Sequence, residues 1–327
     1  MKAFSYVNPT NEKEALAALS SQPEQSMPLG GGQDLLARMK DYVTQPDRIV
    51  NIKGALDATI TTSNGGLRIG AAVKMVDVAE NASVLRMYPA FAAAAIEVGT
   101  PQIRNQATVG GNLNQRPRCW YYRNEEFNCL KKGGDRCFSP AGENQCHAIL
   151  GGGPSFIVHP SSLAVPSVAY GATFRVVGPK GERVVPAADY FTSPRQNVRT
   201  ENVLAPDELL THVILPAPGN VKSGHYEVRY KTSHDWPIAF ATVLLTMNGN
   251  NVRSASIVMG AVAPIPWRSR EAEQALVGKP INEQTAMAAA EAALKNALPL
   301  SQNAYKIDVA KVAVKRAILR AAGIQTA

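Results

Sequence analysis

Two glycine-bearing segments constrain this chain more than any other feature: LGGGQDLL at residues 29–36 and IRNQATVGGNLNQ at residues 103–115. In the first, Gly30, Gly31 and Gly32 run directly into the apolar-periodic QDLLARM, which predicts a tight turn feeding a helix N-terminus. Without Cβ atoms the backbone can approach an anion closely, and the free amides of a helix start turn positive dipole toward it. In the second, Asn105, Thr108, Gly110, Gly111 and Asn112 set hydroxyl and amide side chains beside another close backbone approach. Two such loops can clamp one pyrophosphate from opposite sides. Neither is a standard nucleotide motif, since a Rossmann turn needs G-x-G-x-x-G after a strand and a P-loop needs Gly-Lys-Ser/Thr.

A chain of 327 residues is about twice the usual size of one domain, so two or three packed units are expected. Its 45% hydrophobic and 18% charged content is that of a globular protein, which argues against disorder. The sequence has no run of apolar residues long enough to span a bilayer, and MKAFSYVNPTNEKEALAAL has no apolar h-region. Membrane insertion and an export signal of the chain's own are therefore not expected. The net charge of +8 raises the question of nucleic acid, yet Arg116, Arg118, Arg123, Lys131 and Lys132 form only modest groups. No long basic run with interleaved aromatics exists. The charge points to a basic surface or an acidic partner subunit rather than to nucleic acid.

Asn11 to Glu14 forms a capping-box pattern that opens an amphipathic helix, NEKEALAALSS, ending before Pro23. RIVNI and LRIGAAV read as strands, and YPAFAAAAIEVG reads as a helix capped by Gly99. IRNQATV begins strand-like before Gly110 and Gly111 interrupt it. ATFRVV and ERVVP flank a Pro-Lys-Gly turn, and the Pro/Gly-rich residues 215–224 mark a domain boundary. Beyond it HYEVRYK, AFATVLLTM and VRSASIVMGAV read as strands, the last two joined as a hairpin through NGNN. RSREAEQALVG, NEQTAMAAAEAALKNAL and IDVAKVAVKRAILRAA close the chain as helices.

All four cysteines, Cys119, Cys129, Cys137 and Cys146, fall in the segment spanning residues 116–150. Disulfides suit an oxidising compartment and small scaffolds, and a chain this large has little need of them. Zinc knuckles prefer Cys-x2-4-Cys, whereas the spacing here is Cys-x9-Cys-x7-Cys-x8-Cys. An iron-sulfur cluster tolerates such spacing. Unrelated buried cysteines would not be confined to one segment.

LGGGQDLL and IRNQATVGGNL resemble the two signature segments of the FAD-binding subunits of the xanthine dehydrogenase and molybdenum hydroxylase family, over essentially the whole chain. The resemblance implies an α+β fold: a two-part FAD-binding domain of the PCMH or vanillyl-alcohol-oxidase-like type at 1–218, with subdomains of about 1–55 and 56–218. A smaller α+β C-terminal domain of the CO dehydrogenase flavoprotein type follows at 222–327. It further implies that Leu29, Gly30, Gly31, Gly32, Gln33 and Asp34, with Ile103, Thr108, Gly111 and Asn112, hold the FAD diphosphate, and Asn105, read from its amide side chain, joins them as a cofactor-binding candidate. The family's Pro-Ser-Asp reads Pro160-Ser161-Ser162 here, so Ser162 offers a hydroxyl where a carboxylate is usual. YKTSHDWPIAF resembles the segment that carries a lysine, here Lys231, toward the flavin ring, where a cation would stabilise the reduced anion. Most relatives lack residues 116–150. A minority branch that includes periplasmic aldehyde oxidoreductases and 4-hydroxybenzoyl-CoA reductases carries a [4Fe-4S] cluster in such an insertion, which implies the four cysteines as ligands; His147, next to Cys146, is a further donor that four thiolates leave unneeded.

The sequence has no evident Ser-His-Asp set or paired carboxylates, so the resemblance implies a division of labour. A large molybdenum-cofactor subunit would oxidise an aldehyde, and a small subunit with two [2Fe-2S] clusters would relay electrons. This chain's FAD would then pass them to an external acceptor. Reversed flow, as in 4-hydroxybenzoyl-CoA reductase, and a non-redox binding or assembly protein with a vestigial flavin fold are the alternatives. The compartment is cytoplasmic or periplasmic, the latter through export on a partner's signal.

Overall fold

The computed structural model describes residues 1–231 and 234–325. Thr232 and Ser233 of YKTSHDWPIAF and the last two residues of the expected C-terminal domain lie outside them. Three sheets follow one another along the chain. The first is parallel, with β1 (Ser5–Val7), β2 (Ser26–Leu29) and β3 (Arg48–Asn51) in the order β1-β3-β2. Asn11 caps the helix Glu12–Ala17 by accepting from the Glu14 amide at 3.0 Å, while Glu14 reaches back to the Thr10 amide at 2.8 Å. The helix Leu35–Lys40 starts directly after the three glycines and buries Leu35 and Met39 against Ile49.

The second sheet is antiparallel, formed by β4 (Ile60–Ser63), β5 (Gly66–Gly70), β6 (Thr173–Gly178), β7 (Gly181–Pro186) and β8 (Leu209–Leu215) in the order β4-β5-β8-β6-β7. Helices Met75–Glu80, Ala82–Met87, Pro89–Ile96 and Ala164–Ala169 share its core, which is built on Ile69, Phe91, Phe174 and Val213. One expectation fails here. The IRNQATV stretch is not a strand but lies in two short helices, Pro101–Gln106 and Val109–Leu113. Thr100 and Thr108 cap them by accepting from the Ile103 and Gly111 amides, both at 3.1 Å, and these local bonds outweigh the β propensity of the intervening residues.

The third sheet is antiparallel, with β9 (Val221–Arg229), β10 (Pro237–Asn248), β11 (Asn251–Gly260) and β12 (Trp267–Arg268) in the order β12-β11-β10-β9. Asn248 pairs with Asn251 around a Gly249-Asn250 turn, as the hairpin reading requires. β10 is buried on both faces. Ala239, Ala241, Val243 and Leu245 pack under the helices Arg270–Leu276, Glu283–Leu294 and Tyr305–Ala321, while Phe240 and Leu244 join the core of the second sheet. That period-two split welds the C-terminal unit to the rest of the protein.

Residues 116–150 are mostly irregular, with one helical turn at Trp120–Arg123 and 3-10 turns at Leu130–Lys132 and Ser139–Ala141. They are pinned on three sides. Asp34, from the end of the first glycine loop, receives Arg38 at 3.2 Å, Arg123 at 2.5 Å and Arg118, together with the Arg116 amide at 3.1 Å. Burial opposes ionisation of this carboxyl, but the Arg118, Arg38 and Arg123 guanidiniums overcome that and hold it well below the usual carboxylate range. Buried Glu201 accepts Lys131 at 2.5 Å and Arg116. From the C-terminal unit, fully buried Lys306 donates to the carbonyls of Ala261, His147 and Cys146 at 2.7, 3.1 and 3.2 Å.

Replacing Asp34 with Asn leaves three guanidiniums around a neutral amide and should cost about 3 kcal/mol, read as a lowered midpoint in equilibrium denaturation. An unshifted midpoint contradicts the pinning role. His159 gives a second test. It is buried edge-on to Phe191, with ring centroids 4.7 Å apart, and its Nδ1 accepts from the Ser161 amide at 3.3 Å. Burial, aided by Lys131, pushes its pKa down to about 3. Between that value and the unfolded value of about 6.5, the unfolded chain binds a proton that the native chain does not, so stability falls as pH is lowered through this window. His159→Asn keeps an acceptor and should flatten the slope of stability against pH between about 6 and 4.

Candidate functional site

A cleft of about 890 Å³ opens where the first and second sheets meet the C-terminal unit, near the upper end of the range for ligand pockets, about 300–1,000 Å³. Its walls include Gly30, Gly31, Gly32, Gln33 and Asp34 from the first glycine loop. Ile103, Thr108, Gly110, Gly111 and Asn112 come from the second. The two loops touch. A Cβ on Gly31 would sit 2.1 Å from the Gln106 carbonyl oxygen, and one on Gly30 would sit 2.7 Å from Thr108 Oγ1. Gly32 has φ of +76°, a left-handed conformation that glycine adopts at no steric cost. The first two glycines therefore serve the contact between loops, and the third serves the turn. Gly111 differs: a Cβ there would meet only its neighbour Thr108 Oγ1, at 3.0 Å, and otherwise open space on the cleft wall.

The other candidates divide. Asn112 lines the cleft, while its Oδ1 accepts from Ser161 Oγ at 2.7 Å and the Leu163 amide at 3.3 Å, which ties the His159–Ser162 segment to the second loop. Ser162 is brought to the wall alongside Pro160. Asp34 also lines the cleft, but its carboxylate faces the arginines and is no partner for a diphosphate. Three candidates are not brought in. Leu29 packs toward Leu35, Met39 and Ile49. Asn105 is exposed and donates to the Pro101 carbonyl at 2.8 Å, because the segment is helical and turns that side chain outward. Lys231 is exposed just past β9 and lies outside the lining, whereas His234, Asp235, Trp236 and Pro237 from the same turn belong to it.

Several lining residues carried no signal in the sequence. Arg118 lies over the Trp236 ring at 4.7 Å, which bridges the insertion to the C-terminal unit at the rim. Arg116 lies over the Tyr122 ring at 5.1 Å. Asn202 lines the wall and donates to Asn114 Oδ1 at 2.9 Å, an acceptor it shares with the Tyr190 hydroxyl at 2.5 Å. An aromatic flanked by arginines in an insertion was the one available hint. Glycine-walled depth, open space at Gly111 and amide and hydroxyl donors on two loops fit an adenine dinucleotide such as FAD.

The cysteines form a second locus, and none is in a disulfide. Cys119, Cys129 and Cys137 line a small cavity of about 10 Å³ together with Tyr121, Phe138 and Ile157. His147 Nε2 lies 3.2 Å from Cys119 Sγ. Burial, aided by the charge of Lys306, pushes the His147 pKa down to about 4, so the ring is a neutral donor or acceptor at pH 7. Burial pushes the Cys119 thiol up to about 12, with Cys137 and Cys129 adding to the effect. Cys146 is exposed and outside that lining. Among the described residues, no three His, Cys, Asp or Glu side chains gather tightly enough to hold a single metal ion. Three of the four thiols thus line one small cavity, and the fourth, Cys146, lies outside it.

Comparison with known proteins agrees with this geometry. The family described as the FAD binding domain in molybdopterin dehydrogenase matches residues 2–218, and the CO dehydrogenase flavoprotein C-terminal domain matches residues 224–321. The aldehyde oxidoreductase FAD-binding subunit PaoB of Escherichia coli (strain K12) is 32% identical over 315 residues, covering 95% of this chain and 96% of that protein. The carbon monoxide dehydrogenase medium chain of Hydrogenophaga pseudoflava is 27% identical over 320 residues, 96% of each. The solved structure of carbon monoxide dehydrogenase from Hydrogenophaga pseudoflava superposes with a TM-score of 0.77 at 26% identity, over 98% of both chains. A two-part FAD-binding domain followed by a CO dehydrogenase flavoprotein C-terminal domain is thus the architecture, and the chain belongs to the FAD-binding medium subunits of the molybdenum hydroxylase family.

Proposed function

We propose that this chain is the electron-transfer flavoprotein subunit of a molybdenum-containing aldehyde oxidoreductase. In this reading it takes electrons from the [2Fe-2S] clusters of a small partner subunit onto FAD and delivers them to an external acceptor. A large molybdenum-cofactor subunit performs the oxidation, and Cys119, Cys129, Cys137 and Cys146 hold an additional [4Fe-4S] cluster. The observation that carries the reading is the pairing of a glycine-walled cleft with a neighbouring small cavity lined by Cys119, Cys129 and Cys137. The printed name of the 32% identical relative supports the aldehyde class. Among the described residues no helix is long and apolar enough to cross a membrane, and the complex resides in the cytoplasm or is carried to the periplasm with a partner.

FAD, when bound, supplies one- and two-electron redox chemistry, and a [4Fe-4S] cluster supplies one-electron chemistry. The chain's own residues bind and orient. Gly30, Gly31, Gly32 and Gln33 present main-chain amides from one loop, and opposite them Gly111 leaves open wall, its own amide and that of Asn112 being taken by Thr108. Thr108 fixes the Gly111 amide through its hydroxyl. Ser162 offers a neutral hydroxyl on the wall, and Arg118 lies over the Trp236 ring at the rim.

Purified complex should be yellow-brown, with one FAD and about four irons attributable to this chain. Colourless protein that stays colourless after incubation with FAD overturns the flavin assignment, and zinc in place of iron overturns the cluster. Gly111→Leu places a side chain where the wall is open and should lower FAD content at least tenfold with an unchanged circular dichroism spectrum. Cys129→Ser should lose the paramagnetic signal of the reduced cluster yet retain FAD. Loss of both would make the insertion integral to the fold.

A further inference from the structure

Residues 116–150 put charge on the wall of the cleft. Arg116, Arg118 and Lys131 of this segment line it, together with Asp34 and Arg38 from the end of the first glycine loop and the helix that follows. Arg38, Arg118 and Arg123 converge on Asp34, while Arg116 and Lys131 converge on Glu201. Five cations therefore share two carboxylates, and none of the five side chains is more than 24% exposed. Neutral acceptors help to hold them: the Arg116 carbonyl receives Arg118 at 2.8 Å and Arg123 at 2.9 Å, and Gln115 Oε1 receives Arg118 at 2.9 Å. Such dipoles solvate a guanidinium without cancelling its charge. The other acids of the lining do not make up the difference. Glu97 pairs with Arg229, Glu208 pairs with Arg183, Asp235 accepts from the Trp236 amide at 2.8 Å, and Glu24 acts on Arg116 only from an exposed position. Burial pulls the Arg118 guanidinium below its usual value, and Arg123 and Arg38 add to this against the opposing charge of Asp34, as expected of a cluster short of anions. The second glycine loop cannot supply the missing recognition with its backbone, because its Gly111 and Asn112 amides are spent on Thr108.

We infer that Arg118, together with Arg38, supplies the charge that recognises the diphosphate of the dinucleotide, so that the cysteine-bearing segment is part of the cofactor site and selects FAD over a phosphate-free flavin. The inference rests on the flavin assignment and needs no metal in the segment. It goes beyond that assignment by naming the side chains that answer the ligand's charge. A diphosphate takes up the buried excess of positive charge, and each charge-assisted contact is stronger for being out of water. Asp34 competes with it for the same guanidiniums. Removing the cation therefore weakens the ligand, and removing the competing anion tightens it. Arginines that only fasten the segment would not give opposite signs.

The test is FAD uptake by the flavin-free full chain in equilibrium dialysis, with riboflavin as the phosphate-free control. Arg118→Met should weaken FAD about tenfold and leave riboflavin within about threefold of the parent. Arg123→Met takes a charge from the same carboxylate but from outside the lining, and should weaken FAD by less than about threefold. Asp34→Asn should tighten FAD. Where either Arg118→Met or Asp34→Asn fails to fold, the other decides. Equal losses in Arg118→Met and Arg123→Met, a loss for riboflavin as large as that for FAD, or weaker FAD binding in Asp34→Asn overturns the inference while the parent still takes up FAD. A parent chain that takes up no FAD overturns the flavin assignment itself.

Discussion

The contact between the Gly30–Gly31 backbone and the Gln106–Thr108 backbone is the constraint on which the rest of the structure depends. With a Cβ of Gly31 only 2.1 Å from a carbonyl oxygen, no other residue can stand there without parting the loops. The parallel sheet of the first subdomain has three short strands over a small core of Leu35, Met39 and Ile49, and the loop contact adds to the packing of Ala15 against Leu56, Ala71, Ala72 and Leu209 and to the Glu12–Arg175 pair in joining that subdomain to the second. Bringing the two loops together both completes that subdomain and forms the opposing walls of the cleft. A stability requirement and a binding site are built from the same atoms.

Charge performs the next step of assembly. The basic residues that could have suggested nucleic acid are largely consumed inside the protein, where Arg38, Arg118 and Arg123 surround Asp34 and Arg116 and Lys131 surround Glu201. Such buried pairs contribute little net stability relative to apolar packing, but breaking one strands a charge. Their effect is to leave the insertion a single low-energy position against the glycine loops. Asp34 thus links the first loop to the insertion with its side chain while its backbone belongs to the cleft. That double use explains why a carboxylate can stand beside a site for an anionic ligand: three cations neutralise it first.

What the sequence made readable, and what it did not, follows from the range of the interactions involved. The Asn11 cap, the hairpin at 248–251 and the three C-terminal helices depend on neighbours within a few residues, and patterning exposes them. β8 carries no readable strand signal, because DELLTHVIL breaks its apolar residues with Thr211 and His212 and shows no period-two alternation, and its place at the centre of the second sheet is set by partners far away in the chain. Residues 103–109 looked extended by composition, yet two threonine caps turn them into helices. A resemblance transfers whole segments, whereas local geometry decides which side chain of a segment lines the cleft: Gly111, Thr108 and Ser162 do, and Leu29, Asn105 and Lys231 lie outside the lining.

The cysteine-bearing segment, finally, is built into the scaffold rather than hung from it. It is fastened to the first subdomain through Asp34, to the second through Glu201 and to the C-terminal unit through Lys306 and Asn303. Its interior is aromatic, with Tyr121, Phe127 and Phe138 in mutual contact at 5.1–6.0 Å. Fastening at three points limits relative motion, and electron exchange between fixed centres is sensitive to distance and to local charge. Burial raises the Cys119 thiol to about 12, so it stays protonated at neutral pH, and its neighbour Lys131 keeps its buried charge only through Glu201. An aromatic pocket, three thiols on its wall and a lysine shared with the cleft are each held where they are by the three fastenings, which is why the segment takes one position against the glycine loops.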